Sequence, residues 1–127
     1  MTNEQLQELS RRAAGCLPKE WRLASSGLPF FVCYEAGMPD GAVNGYVSDH
    51  CRNPRKWLHE STEACSEIMV RVLWAKNVVI GGSVYPANVV VWGTTPPMFV
   101  TKEQIPDPML AFRVAVLRAL IALSEGK

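Results

Sequence analysis

Apolar positions are densest near the C-terminal end of the chain, where a nearly unbroken apolar run follows Asp107-Pro108. Asp107 can accept hydrogen bonds from free backbone N–H groups, Pro108 suits a first helical turn, and Glu125-Gly126 marks an exit. The pattern predicts a helix over residues 107–123. At about 100° per residue, Ala111, Arg118, Ala122 and Glu125 gather on one narrow side, so most of the circumference is expected to be covered. Arg113 breaks this pattern. It falls beside Met109, Leu117 and Leu120, nearly opposite Arg118, on the face expected to be buried.

The same reasoning places further elements along the chain. Thr2 with Gln5 forms a capping-box pattern, after which Leu6, Leu9 and Ala13 share one side and Glu4, Glu8, Arg11 and Arg12 the other, with Gly15 expected as a left-handed terminator before Pro18. Residues 28–35 have the aromatic and β-branched content of a buried strand. Gly37, Pro39, Gly41, Asn44 and Gly45 then crowd together, so residues 36–49 are expected to form a long mobile loop or two short edge strands around a turn. Asn53-Pro54 is expected to open a helical turn containing Trp57 and Leu58. A stronger helix start follows at Ser61-Thr62-Glu63, with Ala64, Cys65, Ile68, Met69, Val72 and Leu73 on one arc and an i,i+4 pair, Glu67 with Arg71, on the other. Trp74 falls on that polar side. Two β-rich runs, 78–80 and 88–92, flank Gly81, Gly82 and Pro86 and read as a hairpin with a somewhat long connection, and residues 98–100 add a short strand.

This order predicts an α+β chain of one domain, residues 1–127, with an antiparallel or mixed sheet of three to five strands covered by about three helices, in the manner of an α-β-α sandwich. The totals agree. A chain of 127 residues with 48% hydrophobic and 20% charged positions can bury a core. A formal net charge of +1 excludes a generally basic nucleic-acid binder and leaves only local basic clusters. Cys16, Cys33, Cys51 and Cys65 are scattered without a CxxC, and residues 1–5 lack the basic start and apolar run of a signal peptide, so free thiols and a cytoplasmic setting are expected. Arg113 and Arg118 interrupt the longest apolar run, so no membrane span is expected.

A Ser-Thr-Glu-Ala helix start at residues 61–64, Trp57 upstream, a hairpin with Trp92, and Pro-Asp-Pro leading into the 113–120 segment together resemble the phage ABA (α-β-α) sandwich family of small bacteriophage proteins. The resemblance covers roughly the last seventy residues. It implies a phage or prophage origin and brings no catalytic residues. The Gly37 to Gly45 segment and the Cys51 to Trp57 cluster have no counterpart in it.

Several groups of residues carry candidate chemistry. His50, Cys51, His59 and Cys65 are all competent zinc ligands, but no CxxC or HxxxH brings two of them to one side of a turn, so no metal or other cofactor is expected. Cys33 or Cys51 with a histidine, oriented by Asp40 or Asp49, would make a nucleophile pair, yet no nucleophile elbow, phosphate loop or dinucleotide fingerprint accompanies it. Arg52, Arg55 and Lys56 beside Trp57, with Arg11 and Arg12, form the best nucleic-acid candidate; its structural alternative is a solvated loop with Trp57 turned inward. Trp74 and Val70 point to a protein interface unless another part of the chain covers them. Arg113 is expected to run along its apolar neighbours to a carboxylate such as Glu35 or Glu63, or else to line a pocket that selects an anion.

The expectation from sequence is therefore a phage-type accessory protein, non-enzymatic, in the host cytoplasm. It would bind a host protein or ribonucleoprotein complex in the manner of an anti-CRISPR inhibitor, through Trp74, Val70, the Arg52, Arg55, Lys56 and Trp57 cluster, and the Gly37, Gly41 and Gly45 loop. The rival is a small-molecule or nucleotide-handling enzyme with a cleft near His50, His59 and Arg113. Direct nucleic-acid binding is a third reading, and self-association as a homodimer is compatible with all of them.

Overall fold

The computed structural model describes residues 1–22, 30–35, 38–45, 56–84, 87–94 and 97–125. Helix α1, Asn3–Gly15, begins with the expected capping box: Gln5 N–H donates to Thr2 Oγ1 at 3.2 Å and Thr2 N–H to Gln5 Oε1 at 2.8 Å. Leu6, Leu9, Ser10, Ala13 and Ala14 face the interior. Its end differs from the expectation. Cys16 closes the helix in a right-handed conformation, and Cys16 and Leu17 N–H donate back to the Ala13 and Ala14 carbonyls. The tightened last turn satisfies those carbonyls without a left-handed Gly15. Leu17 and Trp21 then enter the core.

Strands β1, Phe30–Glu35, and β2, Met38–Gly45, pair antiparallel, and β2 also pairs with the short β3, Lys56–Trp57. Of the two alternatives for residues 36–49, the strand holds for Gly41 and Gly45, which lie within β2, though it is the central strand of its sheet and not an edge, whereas Gly37 is outside the described residues. The register explains the glycine content. Val32 pairs with Val43 but Tyr34 with Pro39, so β2 carries extra residues and bulges there. Gly41 sits in the bulge at φ +83°, and a β-carbon on it would lie 2.7 Å from the Arg11 backbone nitrogen and 2.8 Å from the Ser10 carbonyl carbon. Strand and helix approach each other backbone to backbone, and only glycine permits both the dihedral and the distance. Asp40 Oδ1 accepts the Ala42 N–H at 3.0 Å beside it.

Trp57, expected in a helical turn, is extended in β3. The turn itself, a single 3-10 stretch, is Leu58–Glu60, with Glu60 Oε1 accepting the Trp57 N–H. A longer helical segment follows in three parts: α2, Thr62–Ile68, capped by Ser61 as expected, then a π-helical turn, Met69–Leu73, then a 3-10 turn, Trp74–Lys76. It stops at Asn77, which is left-handed at φ 61°. Val78 N–H reaches back to Leu73 O and Asn77 N–H to Trp74 O, the paired bonds of a Schellman ending, with Leu73 and Val78 both fully buried.

Strands β4, Val79–Val84, β5, Ala87–Trp92, and β6, Met98–Thr101, form a second antiparallel sheet. The hairpin is tighter than expected. Val84 pairs with Ala87, so two residues separate the strands, and Gly81 and Gly82 lie inside β4 opposite Val90 and Val89. Helix α3, Pro108–Glu125, is capped by Asp107 Oδ1, which accepts the Met109 N–H at 3.0 Å. Ala111, placed by the wheel on the open side, is buried, as are Val114, Ala115, Val116 and Leu117 in succession.

The α+β class expected from sequence holds. The strands divide into two three-stranded sheets, with order β1-β2-β3 and β4-β5-β6. The first packs on α1 through β2, the second packs on α3, and α1 packs on α3, so helices fill the space between the sheets. Among the described residues, no helix is long and apolar enough to cross a membrane. The Gly41 contact yields a direct expectation: Gly41→Ala destabilises the fold by about 1–3 kcal/mol, a drop in Tm of several degrees by thermal unfolding. An unchanged Tm would show that β2 and α1 can separate at no cost.

Candidate functional site

Three groups of side chains bear on function, and the first is the outward side of the helical segment 62–76. Trp74 is 68% exposed and Val70 62%. The sequence left open whether another part of the chain covers Trp74, and the structure leaves it largely bare. It is nonetheless firmly based, because its carbonyl accepts the Asn77 N–H of the helix ending and its neighbour Leu73 is fully buried. Arg71, Ala75 and Lys76 are exposed around it, and Arg71 Nε meets Glu67 Oε2 at 2.6 Å as the spacing predicted. An exposed indole on a fixed backbone is the arrangement typical of an interface anchor: large contact area with little ordering left to do.

The second group is the basic cluster. Arg52 and Arg55 lie outside the described residues, while Lys56 is exposed and Trp57 half-buried in β3. The structure brings Arg11 to this cluster, its guanidinium carbon 5.5 Å from the Trp57 ring centroid, and stacks the His59 ring on Trp57 at 6.2 Å and 28°. Arg12 points elsewhere, to Glu125 at 2.7 Å, tying α1 to α3. The Trp57 ring thus already carries a cation and an imidazole as partners, an arrangement that disfavours stacking of a base.

The third group is buried and polar. His59 is 8% exposed and Ser10 fully buried. The His59 backbone N–H donates to Ser10 Oγ at 3.1 Å, and Ser10 Oγ and His59 Nδ1 share a second hydrogen bond at 2.8 Å. Arg113 closes the other side: Nε donates to His59 O at 2.7 Å and Nη1 to Thr62 Oγ1 at 2.8 Å. The expected carboxylate partner is therefore replaced by a carbonyl and a hydroxyl. The 3-10 turn 58–60 leaves carbonyls that helical bonding does not satisfy, and a forked guanidinium satisfies one while holding the first turn of α2. Cys65 Sγ donates to Leu58 O at 3.3 Å in the same region. Burial pushes its thiol up to about 12, outweighing the opposing pull of Arg113, so it is an unreactive protonated thiol.

His59 and Arg113, assigned to a cleft in the enzyme reading, are thus both held in intramolecular bonds, and His50 and Cys51 lie outside the described residues. A groove of about 720 Å³ lies instead between α1 and α3, floored by Leu9, Met98 and Ile121 with Arg118 at its side. Three acids line it, Glu4, Glu8 and Glu125, of which the last two pair with Arg11 and Arg12. Among the described residues, no three His, Cys, Asp or Glu side chains converge as a metal site. Sequence reasoning missed Ser10, although a serine between Leu9 and Ala13 on an apolar arc was a sign of a buried polar bond. No family model, curated protein or solved structure matches the chain.

Burial lowers the His59 pKa from its ordinary 6.5; neighbouring Glu60 opposes this and Arg113 reinforces it. The neutral ring belongs to the fold. Above 6.5 its contribution to stability is complete. As pH falls below that value, the unfolded chain takes up a proton that the folded chain resists, and stability declines. The urea midpoint is therefore expected to fall on acidification from pH 7 to about 5.5, and His59→Asn, which retains an acceptor but does not titrate there, should flatten that segment. Equal slopes for both proteins would remove His59 as the cause. Arg113→Met is expected to cost about 1–3 kcal/mol in the same assay, because a buried carbonyl loses its donor.

Proposed function

We propose that this chain is a non-enzymatic binding protein whose contact with its partner centres on Trp74 and Val70. The observation that carries this reading is the 68% exposure of Trp74 on a backbone fixed by the Schellman ending. Exposing an indole is unfavourable in water, and burying it against a second protein recovers the hydrophobic stabilisation. The commitment of Ser10, His59, Arg113 and Cys65 to internal bonds supports binding over catalysis.

The resemblance of the C-terminal half to the phage ABA sandwich family supplies the biological setting: an accessory protein of phage origin that occludes a host protein or ribonucleoprotein, as anti-CRISPR inhibitors do, within the host cytoplasm. Its mechanism is steric. Trp74 seats in an apolar pocket of the target, with Arg71, Lys76 and Glu67 at the rim setting orientation. The rim charges include both signs and are partly paired, which suits a protein surface better than a phosphate backbone.

The test is affinity capture from a bacterial host lysate with the wild type, Trp74→Ala and Val70→Ala, followed by titration of the recovered protein. A central tryptophan is worth about 2 kcal/mol or more, so Trp74→Ala should weaken Kd at least about 30-fold while leaving Tm within a degree or two. Capture of the same protein at equal strength by the wild type and Trp74→Ala would overturn the assignment.

A further inference from the structure

We draw no further inference here: the strongest candidate, the groove between α1 and α3 floored by Leu9, Met98 and Ile121, is lined by charges of both signs, and nothing in the structure shows what covers it.

Discussion

The fold depends on burying α3 from every side. The helix touches α1, α2, the turn 58–60 and all three strands of the second sheet, and four consecutive residues, Val114 to Leu117, are sealed from solvent. A helix covered all round has no face for ordinary polar residues, so any charge on it must find an exit or an internal partner. Arg118 takes the exit, beside the α1 groove, and Arg113 takes the partner. Its two bonds, to the His59 carbonyl and the Thr62 hydroxyl, hold the turn before α2 against α3, and through His59 and Ser10 the connection continues into α1.

That chain of bonds separates chemistry from contact in this molecule. Ser10, His59, Cys65 and Arg113 sit at the junction of three helices, where each satisfies a backbone group or another side chain. A buried polar network with every member paired fixes how the layers meet and leaves little to offer a substrate. Among the described residues, the large apolar side chains left exposed include Trp74 and Val70 on a helix end and Trp92, Phe99 and Val79 on a sheet.

What could be read from the sequence was local. Thr2 with Gln5, Ser61 and Asp107 cap their helices as their spacing indicated, Glu67 meets Arg71, and the exposure of Trp74 follows from its place opposite the apolar arc. What could not be read was long-range. Gly41 left a loop and a short strand equally open because its reason for being glycine lies about thirty residues away, in the backbone of α1. Gly81 and Gly82 looked like a turn because their neighbours Val90 and Val89 belong to another strand. The positions of β1, β5 and β6 were legible, whereas β4 runs on past its expected 78–80 and the division into two sheets is decided by which helix each packs against. Arg113 was recognised as anomalous, yet no periodicity distinguishes a carboxylate from a carbonyl as the partner of a guanidinium.

The π-helical turn at Met69–Leu73 has a consequence for how this surface can vary. Such a turn is equivalent to an α-helix holding one residue more than its pitch accommodates. The bulge absorbs that extra residue, so that Ala64, Cys65 and Ile68 before it and Leu73 and Val78 at its far end all reach the core. Loss of one residue from the turn would restore α geometry and change which side chains stand on its outer side, with both buried ends left in register.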